Sequence, residues 1–197
     1  MTKIDYRQAT FLISAAHSKQ FPADEGKEVA FVGRSNSGKS SALNTLTDHK
    51  NLARTSKTPG RTQLINFFTL DTEHRLVDLP GYGFAKAPIE AQKKWISVIN
   101  HYLKHRESLA GIILLMDIRH PFMDFDTKMI EWSQEQNIPL HILLSKADKL
   151  AFGKQKAAYL QVKKEIGDNP LVTVQLFSSL KKIGLDDLKK QMGIWFS

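Results

Sequence analysis

The sequence predicts an α/β domain with a mostly parallel six-stranded sheet, one antiparallel edge strand and helices on both faces. Three observations predict it. Short apolar or β-branched runs alternate with helical patterns from about residue 28 to the end. The chain has 197 residues, enough to bury a sizeable core in one domain. Its composition, 42% hydrophobic and 24% charged, is globular, and it contains no cysteine that could form a disulfide or a thiolate zinc site.

The predicted elements alternate along the chain. The strands are residues 29–32, 63–70, 75–78, 112–117, 140–144 and 172–177, and the helices are residues 39–46, 90–105, 124–136, 154–166 and 185–196. Strands that alternate with helices favour parallel pairing. The exception is the pair formed by the second and third strands. We expect this pair to be antiparallel, because Asp-Thr-Glu-His at 71–74 fits a hairpin turn. Residues 28–197 therefore form a single domain, and residues 1–27 form an extension that is packed on it or partly flexible.

Charge and hydropathy narrow the classes of partner. The 28 Lys and Arg residues exceed the 20 Asp and Glu residues, for a net charge of +8, so a polyanion is a reasonable partner. The strongly apolar runs, such as residues 111–116, are far shorter than a membrane-spanning helix requires, and the N-terminus lacks a secretory pattern. We expect a cytoplasmic monomer without a membrane partner.

A phosphate-binding loop is predicted between the first strand and the first helix. Residues 33–40 fit the pattern G-x-x-x-x-G-K-[ST] in the strand–loop–helix context that the motif requires. Backbone N–H groups would surround phosphate oxygens, the lysine would supply a counter-charge, and the last serine hydroxyl would bind Mg²⁺. The alternative is a Gly/Ser-rich turn before a helix. The predicted phosphate-binding residues are Gly33, Arg34, Ser35, Asn36, Ser37, Gly38, Lys39 and Ser40.

A second motif follows the third strand. An Asp at the carboxyl end of a parallel strand points at the ligand crevice, where it can hold a metal-bound water. The glycine that ends the motif can offer its N–H to a terminal phosphate. Taken alone, D-x-P-G is also a common turn. Its residues are Asp78, Leu79, Pro80 and Gly81.

Two further loops predict recognition of guanine. A carboxylate at Asp148 can accept hydrogens from N1 and the 2-amino group of guanine, whereas adenine offers it a lone pair. The Lys146 stem can lie along the base, and Ser178 and Ser179 after the last strand can present N–H groups to O6. A helix-capping role for Asp148 is the structural alternative. The predicted base-binding residues are Ser145, Lys146, Ala147, Asp148, Phe177, Ser178 and Ser179.

This ordered set of motifs resembles the TRAFAC-class P-loop GTPases, and more narrowly the bacterial EngB family, also called YihA or YsxC. The most specific part is Lys-Thr-Pro-Gly-Arg-Thr-Gln at 57–63. The resemblance implies a Ras-like fold and a molecular switch in large ribosomal subunit assembly, needed for normal cell division and septation. The resemblance also implies that Gly60, Arg61 and Thr62 belong to the GTP site. Thr62 would then bind Mg²⁺ together with Ser40, and Asp78 would bind it through a water molecule.

Hydrolysis is expected to be slow. Ras-type GTPases place a glutamine after the D-x-x-G glycine to orient water, and here that position is Tyr82. The catalytic residues are then Lys39, Thr62 and Gly81, helped by a partner or a cation, with Arg34 and Arg61 as weaker candidates. Asn36 could ligate K⁺ or hydrogen-bond its own loop. Ser145 stands where related GTPases more often carry Thr or Asn, and we expect it to join the base loop to the phosphate loop less firmly.

The partner and the reaction class have alternatives. Residues 49–70 contain four Lys and Arg residues and no Asp or Glu, which favours ribosomal RNA of the large subunit as partner. Two other classes remain: a nucleotide-gated scaffold with negligible hydrolysis at the ribosome or division site, and a small-molecule P-loop kinase. A kinase would not need the guanine-reading Asp148.

Overall fold

The computed structural model describes residues 4–53, 64–82 and 89–197, with backbone only for 89–95. A single sheet runs through the molecule in the order β1-β3-β4-β2-β5-β6-β7. The strands are β1 Thr10–Ala15, β2 Lys27–Gly33, β3 Ile65–Thr69, β4 His74–Asp78, β5 Leu109–Asp117, β6 Leu140–Ser145 and β7 Val172–Leu176. The helices are α1 Lys39–Thr47, α2 Ile89–His105, α3 Asp124–Glu135, α4 Phe152–Ile166 and α5 Leu185–Trp195.

The α/β class is confirmed, and the sheet has one strand more than predicted. β2 pairs in parallel with β4 and β5, and β6 pairs in parallel with β5 and β7. The predicted hairpin is present, because β3 and β4 are antiparallel and Asp71 Oδ1 accepts hydrogen bonds from the backbone N–H groups of the turn. The seventh strand is β1, which pairs antiparallel with β3 and takes the edge position predicted for β3.

The missed strand lies in the N-terminal extension, and its sequence explains the miss. Phe11 and Leu12 are both exposed, and the register with β3 shifts between Phe11 and Ile13. A half-buried strand is recognised by alternation of apolar and polar residues. An irregular edge strand with two consecutive exposed apolar side chains does not show it.

Two apolar clusters hold the helices against the sheet. On one face, Tyr102 of α2, Met129 of α3 and Val162 of α4 are buried against the sheet. On the other face, Leu43 of α1 and Met192 of α5 are buried. Within the part of the chain that the structure describes, no helix combines the length and the apolar character needed to cross a bilayer.

A buried ion network fastens the segment that precedes β2. The carboxylate of Glu28 is fully buried and accepts hydrogen bonds from Tyr102, Arg75 and Arg106. Arg106 also donates to the backbone carbonyls of Pro22 and Ala23. Removing one member of such a network would leave an uncompensated buried charge, so we expect such a substitution to be strongly destabilising.

Candidate functional site

The predicted phosphate loop lies at the carboxyl end of β2, where ligands of open α/β sheets bind. Ser37 N–H donates to the carbonyl of Arg34 at 3.0 Å, which closes the turn. Two positions then have left-handed backbone, Asn36 at φ +64° and Gly38 at φ +97°. Glycine adopts this conformation without steric cost, and asparagine tolerates it better than most residues. The chain then enters α1 at Lys39, so the loop residues meet the N-terminus of this helix.

The side chains that carry charge in the loop are Lys39 and Asp78. The ammonium of Lys39 contacts the Asp78 carboxylate across the crevice, and both side chains are nearly buried, with 11% and 9% of their surfaces exposed. Ser40, the next residue of α1, is half-buried. The crevice therefore offers two kinds of group. The oxygens of the hydroxyl and the carboxylate suit a hard cation, and the positive charge of the ammonium suits a phosphate.

The segment after β4 lies directly against the phosphate loop. Leu79 N–H donates to the carbonyl of Phe31 at 3.1 Å, and Ser35 N–H donates to the carbonyl of Tyr82 at 2.9 Å. A Cβ atom added to Gly81 would lie 3.3 Å from the Ser35 nitrogen, tighter than ordinary contact. Only glycine therefore fits here without displacing the loop. Leu79 and Pro80 are buried.

The Tyr82 side chain turns away from Lys39 and Asp78 and into the protein. It is 5% exposed, its ring stacks on Phe125, and its hydroxyl donates to Asp126 Oδ1 at 3.1 Å. Burial, reinforced by the neighbouring Asp126, raises the pKa of the phenol well above its usual range, so the hydroxyl stays protonated. Burial also raises the pKa of the Asp126 carboxyl, while the bonds from Tyr82 and Met123 N–H oppose the rise.

Ser145 joins the base loop to the phosphate loop. Its Oγ donates to the carbonyl of Ser37 at 2.6 Å and lies 3.1 Å from the carbonyl of Met116, and the residue is buried. The serine hydroxyl thus reaches the phosphate loop directly. That a serine ties the loops less firmly than Thr or Asn stays a prediction.

Lys146 makes a second bridge between the two loops. Its backbone is left-handed at φ +60°, and its Nζ donates to the carbonyl of Asn36 at 2.6 Å and pairs with Asp117 at 3.0 Å. Burial alone would raise the pKa of the Asp117 carboxyl. Hydrogen bonds from Arg119 and Lys146 outweigh burial and lower the pKa below its usual range. Asp117 is thus ionised, and its contact with Nζ holds the Lys146 side chain between the two loops.

Asp148 is oriented by the loop after β7. The hydroxyl of Ser178 donates to Asp148 Oδ1 at 2.6 Å, and the backbone N–H of Lys181 donates to the same hydroxyl oxygen at 3.1 Å. Ala147 N–H donates to the carbonyl of Phe177 at 3.1 Å, which joins the two loops by their backbones. The other carboxylate oxygen, Oδ2, lies 3.8 Å from the ammonium of Lys149. These contacts fix the orientation of the Asp148 carboxylate. The Ser178 N–H donates to the carbonyl of Ile183 at 3.1 Å, so it is not directed at guanine O6 as predicted.

The structure brings together most of the predicted site. The loops that carry residues 33–40, 78–81, 145–148 and 177–179 meet at one end of the sheet, with Ser178 and Phe177 buried, Ser179 half-buried, and Arg34 and Asn36 exposed. Gly60, Arg61 and Thr62 lie outside the described residues. Sequence analysis missed Asp117 and Asp126. Asp117 could have been found, because it ends an apolar strand as Asp78 does, whereas Asp126 follows a helix start and carries no such signal.

Comparison with known proteins agrees with this geometry. A family model described as a 50S ribosome-binding GTPase matches residues 28–146. A protein of Escherichia coli O139:H28 named "Probable GTP-binding protein EngB" is 54% identical over 198 positions, which cover 100% of this chain and 94% of the relative. This chain belongs to the EngB family of GTPases. As a member of that family it binds GTP and GDP and hydrolyses GTP, so a P-loop kinase is excluded.

Solved structures give the same fold. A crystal structure of an EngB GTP-binding protein superposes with a TM-score of 0.69 at 23% identity and covers 86% of this chain and 98% of its own. A structure of Era in complex with MgGDPNP and a segment of 16S ribosomal RNA superposes with a TM-score of 0.65 at 22% identity, covering 87% of this chain and 57% of its own. The fold of this EngB-family chain is thus that of the Ras-like P-loop GTPases.

Proposed function

We propose that this EngB-family GTPase is a cytoplasmic, monomeric switch that acts on the large ribosomal subunit during its assembly and so supports cell division and septation. The observation that carries the proposal is the match to a family described by its binding to the 50S ribosome. Era, a structural neighbour, was solved with a segment of 16S ribosomal RNA, which supports ribosomal RNA as the chemical class of the partner. We place the switch in one G domain, residues 28–197, with residues 1–27 as an extension that the Arg106 network helps to hold.

The contact with RNA would be made by residues 49–70, which are basic and free of acidic residues. The start of this segment is fixed to α1, because the amide of Asn44 donates to the carbonyls of Lys50 and Ala53 and accepts from Ala53 N–H. α1 in turn begins at the phosphate loop. A loop ordered by nucleotide before it contacts RNA would dock at a lower entropy cost, so the nucleotide would control affinity.

Nucleotide binding would use the loops described above, with Lys39 as phosphate counter-charge and Asp148 as the group that reads guanine. The hydroxyl of Ser40 and the carboxylate of Asp78, through water, would hold Mg²⁺ together with Thr62. The oxygen donor set supports this assignment. Bound Mg²⁺ would neutralise phosphate charge. The contact of Lys39 with Asp78 in the crevice means that both side chains must rearrange when nucleotide and metal enter.

We further propose that intrinsic hydrolysis is slow. Tyr82 occupies the position from which a glutamine would orient water, and its hydroxyl is committed to Asp126. The missing catalytic group would be supplied by the ribosome or by K⁺ ligated by Asn36, which is exposed on the phosphate loop. Turnover in KCl and in NaCl at equal ionic strength tests the cation. Equal rates in the two salts would remove K⁺ from the proposal.

Co-sedimentation with isolated ribosomal subunits tests the partner. Binding to the large subunit should be stronger with a non-hydrolysable GTP analogue than with GDP, and it should fall steeply with salt, because each neutralised phosphate releases counterions. Replacing Lys50, Arg54 and Lys57 with Gln should reduce the salt slope by up to about three units and leave nucleotide affinity nearly unchanged. Replacing Lys163 and Lys164 on α4 is the matched control. Equal binding in both nucleotide states would contradict the switch.

A further inference from the structure

We infer that Asp126 is a positioning residue: through the Tyr82 hydroxyl it holds the segment after β4 against the phosphate loop, and binding of a triphosphate releases this bond. Asp126 lies in the first turn of α3, outside every motif of the nucleotide site. The inference extends the GTPase activity that the family gives and does not depend on the ribosomal partner.

Tyr82 joins three parts of the molecule. Its carbonyl accepts from Ser35 N–H of the phosphate loop, and Arg34 and Tyr82 form a parallel β-bridge. Its hydroxyl donates to Asp126 of α3 at 3.1 Å. Its ring stacks on Phe125, also of α3. Tyr82 is thus held by both its main chain and its side chain. Through these contacts it links α3 to the phosphate loop.

The Asp126 carboxylate is itself buried and fixed in place. It is 2% exposed, and its second oxygen, Oδ2, accepts from Met123 N–H at 3.1 Å, which fixes the carboxylate on the helix start. A hydrogen bond to a buried carboxylate is stronger than one between neutral groups, and leaving that oxygen without a donor is costly. The Tyr82–Asp126 bond therefore joins the segment after β4 to α3 through a buried donor and a buried acceptor.

The same bond competes with a terminal phosphate. While Tyr82 stays in this position, Ser35 N–H is used by the Tyr82 carbonyl and is not directed at a ligand. A Cβ atom at Gly81 would lie only 3.3 Å from the Ser35 nitrogen, so Gly81 is packed against the phosphate loop while the Tyr82 carbonyl accepts from Ser35 N–H. A γ-phosphate that recruits donors from the loop and from Gly81 gains them only by displacing Tyr82, whereas a diphosphate does not need them. The bond should therefore favour GDP over GTP.

The chain contains a matched control at Tyr102. This tyrosine is also buried, and its hydroxyl also donates to a buried carboxylate, Glu28 Oε2, at 3.0 Å. Tyr102 lies near the end of α2, and its partner Glu28 belongs to the Arg106 network. Among the described residues, neither side chain makes a hydrogen bond to the phosphate loop or to Gly81. Tyr102→Phe removes the same kind of hydrogen bond and should lower stability without changing nucleotide preference.

Calorimetric titration of full-length protein with GDP and with a non-hydrolysable GTP analogue tests the inference. For Tyr82→Phe, the affinity for the analogue relative to GDP should rise about tenfold, the size expected for loss of one charge-assisted hydrogen bond. Asp126→Ala should give the same rise, and the double variant should not exceed either single one, because both act through one bond. Asp126→Asn keeps one oxygen acceptor but loses the charge and the second acceptor, so its ratio should lie between those of the wild type and Asp126→Ala.

The outcomes separate positioning from a general structural role. A structural role alone would weaken both nucleotides together and leave their ratio within twofold of wild type, as we expect for Tyr102→Phe. That result for Tyr82→Phe would overturn the inference. Multiplicative effects in the double variant would overturn it too. Tyr82→Phe is isosteric and keeps the stack on Phe125, so the test holds even if Asp126→Ala fails to fold.

Discussion

The two ends of the nucleotide site are built differently. At the base end, Ser145, Lys146 and Asp148 are each held by a hydrogen bond to another loop, at 2.6 Å in every case. The partners are the carbonyls of Ser37 and Asn36 and the hydroxyl of Ser178. At the phosphate end, Lys39 contacts Asp78, and Ser35 N–H is bonded to Tyr82. There the interacting groups include those that phosphate and metal would use.

This difference indicates that the two ends of the site have different roles. A preorganised base end would recognise guanine in any nucleotide state, since little of the binding energy would be spent on ordering it. A phosphate end that must exchange internal contacts for ligand contacts has two arrangements, and a ligand that distinguishes them can act as a switch. Variants at the base end should therefore weaken GDP and GTP equally. Variants of the segment after β4 should change their ratio.

The largest effect is expected at Asp148, which we predict to read the base. Asp148→Asn should weaken GTP and GDP by about 3 kcal/mol and favour xanthosine nucleotides, because the amide presents a hydrogen where guanine N1 also presents one. The asparagine oxygen can still accept from Ser178, so the loop should keep its position. Titration with fluorescent GTP, GDP and XTP measures the change. Unchanged GTP affinity would contradict base reading at this residue.

At the phosphate end, Lys39→Ala should weaken GDP and GTP by about 2 kcal/mol, because it removes a charge-assisted contact to phosphate. Ser40→Ala should instead reduce the dependence of binding on Mg²⁺, because the hydroxyl is the predicted metal ligand. Titrations with and without Mg²⁺ separate the two effects. Ser41→Ala, at the exposed next position of α1, is the control. If Ser40→Ala keeps the wild-type Mg²⁺ dependence, the metal assignment is wrong.

Sequence analysis predicted residues at both ends of the site but not the contacts that join the loops. Gly38, Lys39, Asp78 and Asp148 follow local patterns at strand ends, so spacing alone places them at one edge of the sheet. The bond from Ser145 to the Ser37 carbonyl and the bond from Tyr82 to Asp126 join residues 108 and 44 positions apart. Such contacts depend on how the loops pack, which no local pattern encodes. For the same reason β1 was missed, since its strand character depends on pairing with β3.

Ser145 provides a smaller test of the base end. Ser145→Ala removes the donor to the buried carbonyl of Ser37, and a buried acceptor left unpaired costs about 1–2 kcal/mol. Affinity for GDP and GTP should fall together by about tenfold. Ser145→Thr keeps the hydroxyl and should behave like the wild type. A change confined to GTP would show that the two ends are coupled and would contradict their separate roles.

The smallest expected effect concerns the scaffold under the base end, where His141 connects β6 to β7. His141 is buried, and its ring nitrogens lie 2.7 Å from the Thr173 hydroxyl and 2.7 Å from Gln175 Oε1. Burial lowers the pKa of the imidazole below 6.5, although the bond to Gln175 opposes this. As pH falls through about 6.5, the unfolded chain therefore binds a proton that the folded protein does not. The free energy of unfolding must then decrease until the pH reaches the lower pKa of the folded state.

Urea denaturation at pH 7.5 and 5.5 measures this loss of stability. His141→Gln should lose less stability than the wild type over this range, whereas His120→Gln, at an exposed position, should match the wild type. The ratio of GDP to GTP affinity should stay constant in both variants, because the base end does not distinguish the nucleotide states. A greater loss of stability in His141→Gln on acidification would reverse the sign of the imidazole contribution. A shifted affinity ratio would mean that β6 and β7 transmit the nucleotide state after all.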